Sequence, residues 1–112
     1  MPVLVVDDNP AQRAVAVDIL QVLGCRVIDA YNGRDALRLL DLYPEIRVLF
    51  ADIRMPGMNG EELAEAAWRI RPDLKVVLTS GFVDRVDLQG ARFLPKPYRL
   101  DDLARALGRM PH

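Results

Sequence analysis

Short apolar runs along the chain alternate with longer segments in which apolar residues recur every three or four positions. The runs occupy residues 3–6, 48–52, 74–79 and 92–94, and the more mixed segment 25–30 is also predicted to be a strand. A continuous apolar run bounded by turn residues is typical of a strand buried on both faces, and such strands belong to parallel sheets covered by helices. The alternation therefore predicts an α/β fold in which one five-stranded parallel sheet carries helices on both faces.

The helical segments have recognisable starts. Asn9 and Asn59 can each cap the helix that follows, because an asparagine side chain accepts a hydrogen bond from a backbone N–H of the first turn. Asn32 precedes a glycine where the chain turns into another helix. Spacings of three and four predict the apolar faces of the first and third helices: Val15, Ile19 and Val22, with Leu20 and Leu23, on the first, and Leu63, Ala66, Ala67 and Ile70 on the third.

The connection between the fourth and fifth strands is shorter than the others. Residues 82–91 separate Gly81 from the last apolar run, which is too few for a helix like the others. A parallel connection usually needs a dozen or more residues, so we expect a single turn or an irregular crossover.

Composition narrows the classes of function. A net charge of -1 with both signs mixed provides no basic stripe for nucleic acid and no polybasic membrane patch. The sole cysteine, Cys25, cannot form an intrachain disulfide and is expected to be structural. The chain shows no targeting segment or long apolar span, so a cytoplasmic location is expected. The sole histidine, His112, argues against histidine metal clusters and Ser-His-Asp catalysis.

Polar groups follow four of the predicted strands. The carboxyl ends of parallel strands share one edge of a sheet, so these groups should converge in one crevice. Three carboxylates together repel one another unless a pKa rises or a cation binds, and all-oxygen ligation suits Mg²⁺. A cation, a lysine and a hydroxyl around one carboxylate suit phosphoryl transfer. The residues are Asp7, Asp8, Asp52, Thr79, Ser80 and Lys96.

Each of these residues also has a simpler interpretation. Asp7 and Asp8 could form a capping loop, Asp52 could belong to a turn, and Lys96 could be a solvated edge residue. Lys96 is nevertheless one of two lysines among 15 basic residues, and it lies between two prolines, where its bond to Pro97 could be cis. It is the combination, in this order at strand ends, that is specific.

The chain resembles the receiver domain of bacterial two-component response regulators from Val3 to about Leu107. The motifs are Val-Val-Asp-Asp at 5–8, Asp-Ile-Arg-Met-Pro-Gly-Met-Asn-Gly at 52–60, Thr-Ser-Gly at 79–81 and Phe-Leu-Pro-Lys-Pro-Tyr at 93–98. The resemblance implies a flavodoxin-like (CheY-like) doubly wound sheet with strand order 2-1-3-4-5. It also implies a single receiver domain over residues 1–112, without an output domain.

The resemblance implies a role for each matching residue. Asp52 would be the phosphoacceptor, Asp8 a direct Mg²⁺ ligand, and Asp7 a ligand acting through water. The remaining roles are the backbone carbonyl of Arg54 as a metal ligand, Ser80 as the hydroxyl that precedes a small residue, Lys96 as the phosphate-contacting lysine, and Phe93 as the aromatic switch that turns inward when the hydroxyl moves.

The short segment before Lys96 departs from the family's pattern. It implies a fourth helix that is shortened or missing. In the family this helix is part of the surface that passes the signal to a partner, so signalling through that surface is not expected to follow the usual pattern. The Gly-Ala-Arg-Phe-Leu-Pro-Lys-Pro ending at 90–97 resembles receivers attached to hybrid sensor kinases.

The expected function is that of a phosphoacceptor whose partner is a histidine kinase or a histidine phosphotransfer protein, with no contact to nucleic acid or membrane. The sequence leaves open whether the chain forms a weak dimer. The chain is not expected to be an enzyme beyond catalysing its own phosphorylation and slow dephosphorylation.

One rival is a receiver-like interaction module that works without phosphorylation. A phosphatase with an aspartate nucleophile would want an acid where Arg54 stands, and the P-loop of nucleotide hydrolases is absent from the sequence.

Overall fold

The computed structural model of the chain describes residues 1–81 and 88–108. Strands and helices alternate along most of this length, as the apolar pattern predicted. The elements are β1 (Pro2–Val6), α1 (Pro10–Val22), β2 (Arg26–Ala30), α2 (Gly33–Leu42), β3 (Val48–Asp52), α3 (Gly60–Ile70), β4 (Lys75–Ser80), β5 (Ala91–Pro95) and α4 (Leu100–Ala106).

The five strands form one parallel sheet in the order β2-β1-β3-β4-β5. This is the predicted flavodoxin-like order. The register aligns the carboxyl ends of neighbouring strands, since Val6 lies opposite Ala51 and Asp52 lies opposite Thr79. Residues that follow β1 therefore emerge beside the end of β3.

Helices cover both faces of the sheet, so all of β3 is buried. Leu49 and Ala51 face a core cluster that includes residues of α2 and α3. Val48 and Phe50 face a second cluster that includes residues of α1 and α4. A strand with both faces in the core requires apolar side chains at every position until it ends, which places Asp52 at the first position where a carboxylate can reach the crevice.

Asparagine side chains begin the first three helices. Asn9 accepts from the backbone N–H of Gln12, and Asn59 accepts from that of Glu62, whose carboxylate accepts in return from the N–H of Asn59. Asn32 caps α2 in the same way. The predicted caps at Asn9 and Asn59 are confirmed.

The predicted apolar face of α1 is wrong in part. Val15 and Val22 are 55% and 73% exposed, and the buried residues of the helix are Arg13, Ala16 and Leu20, of which the prediction contained only Leu20. Two sets of residues in α1 have helical spacing: Val15, Ile19 and Val22 form one, and Arg13, Ala16 and Leu20 form the other. The set that includes Arg13 faces the sheet. The reason is tertiary, because Arg13 has hydrogen-bond partners on neighbouring segments.

Three further sequence predictions have different outcomes. Ile70, assigned to the buried face of α3, is 44% exposed at the end of that helix. Cys25 is buried in the core, in agreement with a structural role. The predicted single turn or irregular crossover before β5 covers residues 82–91, of which 82–87 lie outside the described residues. None of the helices within 1–81 and 88–108 has the length and apolar character needed to cross a membrane.

Two glycines at helix starts provide a matched test of this packing. A Cβ atom at Gly60 would lie 2.5 Å from the carbonyl oxygen of Asp52 and 2.9 Å from the Cα atom of Ile53, and backbone atoms cannot move aside cheaply. We therefore expect Gly60→Ala to lower the free energy of unfolding by roughly 1–3 kcal/mol.

The matched variant is Gly33→Ala. A Cβ atom there would lie 2.7 Å from Sδ of Met58, which belongs to a flexible side chain, so this variant should stay within about 1 kcal/mol of wild type. Urea denaturation followed by the fluorescence of the single tryptophan, Trp68, measures both. Equal stabilities for the two variants would contradict the close approach of α3 to the end of β3.

Candidate functional site

Three carboxylates meet at the carboxyl edge of the sheet. Asp7 and Asp8 follow β1, and Asp52 ends β3. One oxygen atom of each carboxylate lies within 4.8 Å of the others. Asp7 and Asp52 are buried, at 6% and 8% exposure, whereas Asp8 is exposed. The sequence prediction that these groups converge is confirmed.

Lys96 brings a positive charge to this cluster from the end of β5. Its Nζ atom donates to Oδ2 of Asp52 at 3.0 Å and lies 3.7 Å from Oδ2 of Asp7. Lys96 also donates to the side-chain oxygen of Gln12 on α1, and its backbone N–H donates to the carbonyl of Ser80. The bond from Lys96 to Pro97 is cis. The ammonium thus joins β5, β3 and α1 at one point.

The environment shifts the pKa of Asp7 upward. Burial is the largest cause, and the carboxylates of Asp52 and Asp8 act in the same direction. The backbone N–H of Asn9, which donates to Oδ1 of Asp7 at 2.9 Å, and the ammonium of Lys96 oppose the shift. Asp7 therefore carries its negative charge at a cost when no cation is bound.

Burial and the negative charges of Asp7 and Asp52 also affect the pKa of Tyr98, which lies on the loop after Lys96. Burial raises the pKa of Tyr98 to about 12, and the charges of Asp7 and Asp52 contribute. The ring of Tyr98 packs edge-on against Phe50, with centroids 5.7 Å apart. The partly buried ring of Tyr98 therefore lies beside Phe50 of the core and near the acidic cluster.

The two hydroxyls at the end of β4 differ in their environments. The hydroxyl of Thr79 donates to the carbonyl of Leu94 at 2.6 Å, which ties β4 to β5 in the buried interior. Successive side chains on a strand point to opposite faces, so Ser80 projects from the other face of β4. Gly81 follows, and a Cβ atom there would lie 4.0 Å from Cδ of Lys96. This geometry favours Ser80 over Thr79 as the candidate hydroxyl, which stays a prediction.

The other two predicted residues lie on either side of this site. Arg54 is exposed on the β3–α3 loop, and its backbone N–H donates to Oδ1 of Asp52 at 3.3 Å. The predicted role of its carbonyl as a metal ligand stays a prediction. Phe93 lies on the edge strand β5, opposite Leu78, and is 36% exposed. Its side chain is therefore partly in solvent in this structure.

Sequence reasoning missed two residues of α1, Gln12 and Arg13. Gln12 contacts Lys96, and Arg13 donates to the carbonyl of Asp7 from a buried position. A signal for Arg13 was present, because it precedes Ala16 and Leu20 by three and seven residues and so occupies a core position of the helix. Gln12 has no such signal, since its contact arises between segments 84 residues apart.

The donor atoms at the site suit a hard divalent cation. They are all carboxylate oxygens that converge from the loop after β1 and from the end of β3, and Asp8 is exposed, which leaves room for water. Lys96 by itself cannot balance three carboxylates. Burial is the main reason why the pKa of Asp7 is raised, and a bound cation would relieve the repulsion from Asp52 and Asp8 that adds to it.

Comparison with known proteins identifies relatives along most of the chain. A family profile described as the response regulator receiver domain matches residues 3–108. The response regulator receiver protein CpdR of Brucella abortus is 34% identical over 114 residues, which cover 96% of this chain and 94% of CpdR.

A second group of relatives belongs to sensor kinases. The sensor kinase CckA of Brucella abortus is 32% identical over 96% of this chain, but this match spans only 12% of the length of that kinase. The crystal structure of the receiver domain from a hybrid histidine kinase CckA has a TM-score of 0.83 and 31% identity, with 96% of each chain covered. The predicted similarity to receivers of hybrid kinases is confirmed.

The raised pKa of Asp7 leads to a prediction for the metal-free protein. A carboxyl group whose folded-state pKa lies above the ordinary value of 3.8 favours folding most at lower pH, and this contribution is lost as the pH rises through the folded-state pKa. Asp7→Asn removes the charge at similar shape. In buffer with a chelator, we expect Asp7→Asn to raise the free energy of unfolding at pH 7 and to reduce its decline above pH 3.8.

Denaturation of both proteins across this pH range checks the prediction. Asp41→Asn, at an exposed position on α2, is the control for a change of one charge away from the site. Equal or lower stability of Asp7→Asn at pH 7 would show that the burial of this carboxylate carries no cost.

Proposed function

The chain belongs to the response regulator receiver family of two-component systems, and on that basis we propose that it is a phosphoacceptor. In this proposal Asp52 takes a phosphoryl group from the phosphohistidine of a histidine kinase or a histidine phosphotransfer protein. The observation that carries the proposal is the buried carboxylate of Asp52, held 3.0 Å from the ammonium of Lys96 and beside Asp7 and Asp8.

Asp52 acts as the nucleophile. One carboxylate oxygen forms a bond to phosphorus while the P–N bond of the phosphohistidine breaks. The electron pair of that bond goes to the imidazole nitrogen, which leaves a neutral histidine when the second ring nitrogen carries a proton. The products are an aspartyl phosphate on this chain and an unmodified partner.

The neighbouring charges stabilise the transferred group. The ammonium of Lys96 lies next to Asp52, where it would stabilise the negative charge on the oxygens of a phosphoryl group bound to Asp52. The residues that would hold Mg²⁺ are Asp8 and Asp52, with Asp7 acting through water and the carbonyl of Arg54 as a further ligand. Bound Mg²⁺ would supply further positive charge to the phosphoryl oxygens and relieve the repulsion among the carboxylates.

The surroundings leave room for a donor. An open pocket of about 440 Å³ lies beside Lys96. Its lining consists of Gln12, Val15, Gly81, Lys96, Pro97 and Tyr98. Lys96 joins this pocket to Asp52, so in this proposal a small phosphodonor or the imidazole of a partner approaches from this side.

The response to phosphorylation is assigned to Ser80 and Phe93. Ser80 would move to a phosphoryl oxygen, and Phe93, which is partly exposed, would turn inward. The chain would catalyse its own phosphorylation and slow dephosphorylation only. We place it in the cytoplasm, where reducing conditions suit its free, buried Cys25. The rival, an interaction module that works without phosphorylation, has no need of the charged groups around Asp52.

Phosphorylation is tested by intact-mass spectrometry. After incubation with Mg²⁺ and acetyl phosphate, we expect the wild type to gain the mass of one phosphoryl group. Asp52→Ala should gain none, and removal of Mg²⁺ by a chelator should reduce the adduct to background. Asp73→Ala, which removes an exposed carboxylate, should be phosphorylated like the wild type. If the wild type stays unmodified while another receiver domain is phosphorylated in the same tube, the interaction module becomes the better proposal.

The two hydroxyls are tested separately. Ser80→Ala should accept the phosphoryl group but show no change in the amide resonance of Phe93, which should shift in the wild type. Thr79→Val should keep the shift and instead lose roughly 1–3 kcal/mol of stability, because the buried carbonyl of Leu94 loses its donor. The reverse pattern would assign the switch to Thr79.

A further inference from the structure

Arg13 is a buried charged residue for which the proposed chemistry has no role. It lies at the end of the first turn of α1 and is 8% exposed. A buried arginine is costly unless its donors are paired, so its partners indicate why it is there. All of them lie on segments next to the acidic site.

The guanidinium makes three contacts. Nη1 donates to the backbone carbonyl of Asp7 at 2.8 Å, and Nε donates to Oδ2 of Asp29 at 3.1 Å. The same group stacks on Tyr31, with Cζ 4.0 Å from the centre of the ring. Asp29 and Tyr31 flank Ala30 at the end of β2, whose carbonyl accepts from the N–H of Asp7. Arg13 therefore connects α1, the end of β2 and the acidic loop.

The carbonyl of Asp7 belongs to the peptide that joins Asp7 to Asp8. The orientation of this planar unit determines how the two side chains diverge from the backbone. In the structure Asp7 points into the buried interior and Asp8 faces solvent. A donor that fixes this peptide therefore fixes the relative directions of two of the three carboxylates.

We propose that Arg13 is a positioning residue for the cation site: its hydrogen bond to the Asp7 carbonyl, braced by Asp29 and Tyr31, holds the Asp7–Asp8 peptide in the orientation that binds Mg²⁺. This inference rests on the proposed function, because it assumes that Mg²⁺ binds there. The guanidinium contacts the carbonyl and the carboxylate from two different nitrogen atoms held in one plane, whereas a lysine has a single nitrogen at the end of a flexible chain.

Electrostatics alone predicts the opposite result, and this makes the inference testable. Removal of a positive charge near three carboxylates should strengthen the binding of a cation. Loss of positioning should weaken it, and loss of a group that orients metal ligands typically costs 10–100-fold in affinity. The direction of the change therefore distinguishes the two effects.

The test measures Mg²⁺ affinity by isothermal titration calorimetry at constant ionic strength, for wild type, Arg13→Met and Arg13→Lys. We expect a dissociation constant raised roughly 10-fold or more in Arg13→Met and raised in Arg13→Lys as well. If Arg13→Met does not fold, Arg13→Lys decides. Unchanged or tighter binding in the folded variants would overturn the inference.

Arg71→Met is the matched control. Arg71 also donates to backbone carbonyls, those of Ile46 at 2.6 Å, Tyr43 at 3.0 Å and Leu40, but these lie near the amino end of β3. Arg71→Met should lose stability and keep the Mg²⁺ affinity of wild type. Weaker Mg²⁺ binding in this control as well would mean that general loosening of the fold, and not the Asp7 carbonyl, explains the effect, which would overturn the inference.

A readout without metal separates the inference from the proposed function. The amide nitrogen of Asp8 belongs to the peptide whose carbonyl accepts from Arg13, so its NMR resonance should shift in Arg13→Lys when a chelator is present. A wild type that binds no Mg²⁺ would overturn the proposed function. The Asp8 resonance would then still decide whether Arg13 orients this peptide, and an unshifted resonance would count against it.

Discussion

Repulsion among three carboxylates at the edge of a buried parallel sheet governs the arrangement of the surrounding residues. Asp7 and Asp52 are nearly removed from water, and Asp8 lies within the same cluster. Burial and like charge both raise the free energy of the ionised site. Lys96 is held among these groups and offsets part of that cost, but one ammonium leaves a net negative charge, which is the condition for cation binding.

The fold holds the side chains of this site in place, although burial of their charges lowers the free energy of unfolding. β3 is buried throughout, and the start of α3 packs so closely on its end that Gly60 has no room for a side chain. Gln12 and Arg13 add polar contacts from α1 to Lys96 and to the Asp7 carbonyl. Burial of a charged side chain such as that of Arg13 costs free energy unless it is paired, so packing alone does not explain it. Functional sites are where such conflicts between stability and chemistry are expected.

The fold was predictable because its signals are local and repeated. Continuous apolar runs such as 48–52 mark strands that are buried on both faces, and the alternation with capped helices permits few topologies. The faces of individual helices were less predictable. Val15 and Val22 satisfy the same three-and-four spacing as the buried residues, and only packing on the sheet decides which spacing faces inward.

The sequence by itself determined which chemical groups end the strands, because carboxylates, hydroxyls and a lysine interrupt apolar runs where a parallel sheet reaches solvent. It determined Asp52, Asp7, Asp8 and Lys96 as one cluster, and the sheet register brings them together as expected. The tertiary structure decided how the cluster is held. The contacts of Arg13 with Asp7 and of Lys96 with Gln12 join residues on different elements, and such contacts depend on helix rotation and side-chain reach, which no local pattern encodes.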